Sequence, residues 1–286
     1  MPNLATPSKT IEILKKHNFS LQKKYGQNFL IDRHILEKII TTAKINKSDC
    51  VLEIGPGIGT MTQYLAENAG KVITVEIDKN LIPILNETLA DYDNVIIKNQ
   101  DILKIDLISL INEHNDGRPV KVVANLPYYI TTPIIMALFE QKIPLECLTI
   151  MVQKEVAERI KTGPGTKEYG ALSLAVQYYA KPEIIAIVPP ACFIPKPAVA
   201  SAVIHLEKHI VPSVDVKDEG LLFRIIRAAF NQRRKTLANA LANAADLNIS
   251  RDEAVSALRE MDLNESIRGE ALSLSEFTKL SNILLR

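Results

Sequence analysis

The sequence predicts an α/β protein: a doubly wound, mostly parallel sheet followed by a small all-helical domain. Three observations predict it. Between residue 50 and about residue 206 short β-branched runs alternate with helical stretches, and the first of those runs ends in a glycine-rich turn. Beyond residue 210 the β signal stops and apolar residues recur at helical spacing. With 286 residues, 47% of them hydrophobic, the chain can bury one large core and a smaller second one. The expected division is an N-terminal extension over 1–24, a sheet domain over 25–209 and a helical domain over 210–286.

The opening stretch "MPNLATPSKTIEILKKHNF" has no continuous apolar core of signal-peptide length, and no later apolar run approaches the roughly 20 residues of a membrane helix. Strands are expected at "CVLEI", "KVITVEI", "NVIIK", "VKVVA" and "CLTIMV", then at "EIIAIV" and "AVASAVIHL" as a hairpin-like pair. Helices are expected in "LLFRIIRAAF", "TLANALANAA", "RDEAVSALREM" and "SLSEFTKLSNILL". The net charge of +1 excludes a uniformly basic nucleic-acid coat, yet Arg224, Arg227, Arg233, Arg234 and Lys235 stand together with no acid between them. Phe223, Ile226 and Phe230 form an apolar stripe on that helix, so Arg224 and Arg227 are expected to project outward and the cluster to hold RNA phosphate, with Lys23 and Lys24 extending it. Its plainer reading is a set of cations finishing a helix.

Cys50, Cys147 and Cys192 are odd in number, far apart and set in or beside apolar runs, which reads as buried thiols in a reducing, cytosolic compartment. His205 and His209 stand four apart, which on a helix would suggest metal ligands, but "AVASAVIHL" alternates like a strand, so they read as structural surface histidines; with no zinc-type spacing elsewhere, no metal is expected.

The glycine-rich turn is "EIGPGIGTMT", with Gly55, Gly57 and Gly59 at every second position. Such a turn lets a ligand approach the backbone before the next helix begins. A dinucleotide fingerprint needs glycine at position 60, where this chain has Thr60, which weakens NAD and FAD. The second strand ends in Glu76, twenty-one residues after Gly55, where an acid can accept both hydroxyls of a ribose. Asp101 follows the third strand, placed to read an adenine amino group; each acid taken singly is equally a solvated strand-end residue. The fourth strand runs into "ANLPYYI", an amide, a proline and two phenols where a plain turn would use Gly, Asp or Ser.

Glycine turn, Glu76, Asp101 and "NLPYYI" in this order resemble the class I S-adenosylmethionine-dependent methyltransferases that act on exocyclic amines. With "YGQNFL", "GPGTKEYGALS", "FIPKPAVAS" and "FNQRRKTLANAL" the chain resembles more closely the ribosomal RNA adenine N6,N6-dimethyltransferases of the small subunit, from Lys24 to the C-terminal helices. That resemblance implies a Rossmann-like catalytic sheet over 25–209 and an RNA-binding helical domain over 210–286. It implies S-adenosyl-L-methionine as cofactor, with Asn28 and Leu30 closing over it and Gly55, Gly57, Glu76, Asp101 and Asn125 contacting it. It also implies dimethylation of two adjacent adenosines near the 3′ end of 16S rRNA in a pre-ribosomal 30S-type particle, by a monomer with no membrane and no metal.

The chemistry of "NLPYYI" follows from the weakness of the nucleophile, since the lone pair of an adenine amino group is delocalised into the ring. The Asn125 side-chain oxygen and a backbone carbonyl beside Pro127, within Leu126-Pro127-Tyr128, are expected to accept the two N6 hydrogens off the ring plane and aim the lone pair at the methyl group. Tyr128 is expected to offer one face for an extruded base and Phe193 the second. The plain alternative makes Tyr128, Tyr129 and Phe193 core aromatics and Asn125 a helix cap. Rival functions are a large-subunit rRNA or DNA adenine methyltransferase, and a non-catalytic assembly factor on the same fold. "FNQRRKTLANAL" and "GPGTKEYGALS" point to the small-subunit family, and the intact Glu76, Asp101 and Asn125 speak against lost catalysis.

Overall fold

The computed structural model describes residues 4–22 and 25–285 of the chain. The strands are β1 (Phe29–Leu30), β2 (Cys50–Ile54), β3 (Lys71–Glu76), β4 (Val95–Asn99), β5 (Val120–Asn125), β6 (Leu145–Gln153), β7 (Ala180–Val188), β8 (Phe193–Ile194) and β9 (Ser201–Lys208). Seven of them form one sheet in the order β4-β3-β2-β5-β6-β9-β7. The pairs from β4 to β6 are parallel and β9 runs antiparallel to β6. β2 is buried at all five positions, as a central strand covered on both faces must be, whereas edge strand β4 is only partly covered. The order reverses beside β2, between β3 and β5, so the carboxyl ends of these three strands open onto one crevice.

The chain divides into two compact units, residues 1–157 with 183–208 and residues 158–182 with 209–286. In the first unit Leu36, Ile39, Leu65, Val51, Val72 and Val123 belong to one core, which joins the helices Arg33–Thr42 and Thr60–Asn68 to the sheet. The extension before residue 25, for which the sequence pattern implied no role, contains a helix, Pro7–Lys16, capped by Thr6. Ile13, Leu14 and Phe19 pack on a small cluster of Phe29, Ile58, Leu81 and Ile84.

In the second unit the helices Ala171–Tyr179, Glu219–Asn231, Leu237–Ala242, Arg251–Glu260 and Leu274–Leu284 surround Leu222, Ile225, Leu241, Leu258 and Phe277. Two of these helices start in reciprocal caps, Ser250 with Glu253 and Ser273 with Glu276. Residues 158–182, assigned to the sheet domain from sequence, group here for a reason no periodicity carries. Tyr169 donates to the Leu272 carbonyl at 2.9 Å and meets Phe230 edge-on, and Tyr179 stacks on Phe223. Gly269 is held so closely that an added Cβ would lie 2.6 Å from that of Ala229.

Candidate active site

The crevice at the carboxyl ends of β2, β3 and β5 is lined by residues 25–30, 53–57, 75–77, 100–102 and 125–130, together with Thr60, Met61, Leu81 and Ile134. The glycine turn shapes its floor. Gly55 and Gly57 have φ of 68° and 62°, and a Cβ on Gly57 would stand 2.9 Å from the Phe29 ring, so only glycine fits. Gly59, also left-handed, starts the helix Thr60–Asn68.

Glu76 ends β3 and is 5% exposed. Its Oε1 accepts from the Asp78 N–H at 2.7 Å and its Oε2 from the Gly57 N–H at 3.3 Å. Burial nevertheless pushes its carboxyl up to about 7, against these two hydrogen bonds. Asp101, partly buried, accepts from the Leu103 N–H at 3.0 Å through Oδ1, and its Oδ2 lies 3.8 Å from the Lys104 ammonium. Sequence reasoning placed Glu53 in the glycine motif without giving it a role. It lines the crevice fully buried, with Oε2 accepting from Thr62 Oγ1 at 2.7 Å and Oε1 without a partner. Burial, with the Glu76 charge nearby, pushes it up to about 8. Its signal was available: an acid on an otherwise wholly apolar buried strand has to serve something.

Asn125 is the last residue of β5, and its Nδ2 donates to the Asn28 carbonyl at 2.8 Å. That bond fixes the amide, since its donor end faces the 25–30 segment and Oδ1 remains as an acceptor. Asn28 is itself held by its Nδ2 donating to the Gly26 carbonyl at 3.0 Å. Leu126 is buried, its N–H donating to the Met151 carbonyl. The Pro127 carbonyl already accepts from the Ile130 N–H at 3.2 Å and Thr131 Oγ1 at 3.1 Å. Tyr128, half-buried, shares a 2.7 Å hydrogen bond with Ser201 Oγ, which pins its ring at the rim.

Phe193 departs from the expectation. It is 1% exposed, its backbone pairs with Leu30 across β1 and β8, and its ring lies in the sheet core, so no face is left for a base. Leu30 is buried in the same core and lines the crevice.

The basic cluster of the second unit is less uniform than the sequence suggested. Arg227, Arg234 and Lys235 are exposed. Arg224 is half-buried, with Nε enclosed and without a partner. Arg233 is engaged internally: it pairs with Glu270 at 3.0 Å, donates to the Lys167 carbonyl at 2.9 Å and stands over the Phe230 ring. Of the expected outward projection from the helix, Arg227 shows it and Arg224 does not. Lys23 and Lys24 lie outside the described residues.

Among the described residues no group of three or more His, Cys, Asp and Glu is placed to hold a metal, and His205 Nδ1 lies 2.8 Å from Thr149 Oγ1. No helix among them is long and apolar enough to cross a membrane.

The described lining of the crevice carries three acids and no Lys or Arg. Such a lining gives a dinucleotide pyrophosphate no cation to meet and offers acceptors to a ligand bearing an amino group and a ribose diol. Fold, glycine turn and strand-end acids together define a class I S-adenosylmethionine-dependent methyltransferase. Similarity to known proteins narrows this class. The family "Ribosomal RNA adenine dimethylase" matches residues 18–283, and the chain belongs to that family. It is 60% identical over 285 residues to a ribosomal RNA small subunit methyltransferase A of Lachnoclostridium phytofermentans, covering 99% of this chain and 98% of the relative. The protein of the same name in Clostridioides difficile is 50% identical over 284 residues, 99% of this chain and 98% of that one. Among solved structures, a dimethyladenosine transferase from Plasmodium falciparum aligns with TM-score 0.73 at 28% identity, over 88% of this chain and 95% of that chain. The 23S rRNA methyltransferase ErmE aligns with TM-score 0.65 at 25% identity, over 90% of this chain and 99% of that chain.

Proposed function

We propose that this chain dimethylates the N6 amino groups of two adjacent adenosines near the 3′ end of small-subunit rRNA, acting as a monomer on a pre-ribosomal small-subunit particle in the cytoplasm. The observation that carries the reading is the fixed amide of Asn125: with Nδ2 bound to the Asn28 carbonyl, Oδ1 is the acceptor left for an exocyclic amine. The Pro127 carbonyl is occupied by the turn that follows, so the Leu126 carbonyl is the second acceptor. Two acceptors drawing the N6 hydrogens off the ring plane localise the lone pair, and no strong base is required, because the amine turns acidic as it is alkylated. S-adenosylmethionine, when bound, supplies the methyl group as a sulfonium electrophile. Glu76 takes the ribose hydroxyls, Asp101 the adenine amino group, and Gly55, Gly57, Asn28 and Leu30 enclose the remainder. Tyr128, with its hydroxyl held by Ser201, is the surface on which the target base stacks. Phe193 supports that site from within the core. Arg227, Arg234 and Lys235 meet RNA phosphate, while Arg233 braces the unit that presents them.

The small subunit is favoured over the large because full-length relatives at 50–60% identity are named for it, against 25% identity for the 23S rRNA methyltransferase. The test is incubation with radiolabelled S-adenosylmethionine and small-subunit particles lacking the modification, followed by mapping of the label. Two adjacent N6,N6-dimethyladenosines near the 3′ end are expected. Label elsewhere, or none, overturns the proposal.

A further inference from the structure

We infer that Gln27 and Asp78 form a latch that holds the segment Gly26–Leu30 closed over the cofactor crevice, which makes Gln27 a positioning residue for Glu76 and Asn125 together. The inference rests on the proposed cofactor site and adds to it a device that contacts neither reacting group. Asp78 is 1% exposed, a depth at which a polar side chain needs its hydrogen-bond partners. Oδ1 accepts from the Asn80 N–H at 3.1 Å and from Asn80 Nδ2 at 3.0 Å, and Oδ2 accepts from Gln27 Nε2 at 2.8 Å. The other end of the Gln27 amide accepts from the Gln22 N–H at 2.9 Å, so both of its polar ends are spent on the protein itself.

What the latch joins gives it a purpose. Asp78 presents its own N–H to Glu76 Oε1 at 2.7 Å, and the residue after Gln27 presents its carbonyl to Asn125 Nδ2 at 2.8 Å. One tie therefore links the ribose acid on β3 to the acceptor amide on β5 through the segment that covers both. The sheet contribution to this segment is the two-residue pairing of β1 with β8, too short to hold a strand alone. A segment already ordered before the cofactor arrives spares the binding step its ordering cost.

The test uses the full chain and two variants. Gln27→Glu faces Asp78 with a second carboxylate and should open the latch. Adding Asp78→Asn reverses donor and acceptor and should close it again. Amide exchange of residues 25–30, measured without cofactor, should accelerate in Gln27→Glu by more than that of strands β2, β3 and β5, the mark of a local opening. The Kd for S-adenosylmethionine by calorimetry should rise about tenfold, the scale of one charge-assisted hydrogen bond. Both should return toward wild type in the double variant. Unchanged exchange and affinity in Gln27→Glu, or a double variant as impaired as the single one, overturns the latch. Failure of the cofactor assignment itself would look different: the wild-type chain would not bind S-adenosylmethionine, whatever its amide exchange.

Discussion

Asn125→Ala removes two interactions of unequal consequence, and their separation tests the whole account of the site. The first is the acceptor proposed for the amine, Oδ1, a preorganised contact that on this proposal strengthens as the amine becomes acidic. Losing one such contact costs about 3–4 kcal/mol of transition-state stabilisation, or roughly 100-fold to 1000-fold in rate. The second is the 2.8 Å bond from Nδ2 to the Asn28 carbonyl, which holds the covering segment. A neutral hydrogen bond is worth about 0.5–1.5 kcal/mol net, so cofactor affinity should fall only about twofold to tenfold. Single-turnover methyl transfer to unmodified small-subunit particles reads the first loss, and calorimetric titration with S-adenosylmethionine reads the second. Asn125→Asp completes the set, because it faces the Asn28 carbonyl with another acceptor and should weaken cofactor binding more than alanine does. Transfer by Asn125→Ala within about fivefold of wild type would refute the reasoning, as would Asn125→Asp binding cofactor as well as the wild type.

Glu76 predicts a pH dependence. Burial holds its free carboxyl up near about 7, and two ribose hydroxyls donating to it would favour the charged form, so affinity for S-adenosylmethionine should rise between pH 5.5 and about pH 7.5. Glu76→Gln should bind more weakly and lose that slope in titrations across the range. Gly57→Ala places a methyl 2.9 Å from the Phe29 ring on a residue with φ of 62°, and should lower stability by about 1–3 kcal/mol in urea unfolding while weakening the cofactor. In the second unit, Arg233→Ala should destabilise the fold by about 1–2 kcal/mol through its lost pairing with Glu270 and the Lys167 carbonyl, discounted for partial exposure. Arg234→Ala with Lys235→Ala should leave stability unchanged and flatten the salt dependence of particle binding by about one to two units of log–log slope. Parallel salt slopes for wild type and that double variant would mean these two cations only finish a helix.

The main sheet was legible because its strands are short, mostly apolar, β-branched runs, and burial on both faces suits "CVLEI" and "VKVVA", each of which carries a single charged residue, Glu53 and Lys121. Two of the three acids of the crevice, Glu76 and Asp101, were legible from their offsets, since a strand end and the glycine turn before it fix where a side chain stands, whereas Glu53 was seen only as part of the glycine motif. Pairings between distant short segments were not. β1 and β8 have two residues each, too few for any period, and they are what turns Phe193 inward. The bond from Asn125 to Asn28 spans 97 positions and involves a backbone carbonyl, which has no residue type to betray it. Arg233 reads like its neighbours Arg234 and Lys235, and what separates it from them is partners distant in sequence, Glu270 and the Lys167 carbonyl. The helix Pro7–Lys16 could have been read, from Thr6 as cap and Pro7 in the first turn.

The second unit is assembled from two separate stretches, 158–182 and 209–286, with β9 and most of β7 made in between. During synthesis Tyr169 and Tyr179 therefore leave the ribosome well before Phe230 and Phe223, the rings that cover them, and that part of the chain must wait with its aromatics uncovered. A chain stopped at residue 209 would keep those residues and never receive their partners. Removal of the C-terminal helices is thus not a clean excision, and a truncated chain meant to isolate the sheet would carry an exposed apolar remnant with a tendency to aggregate.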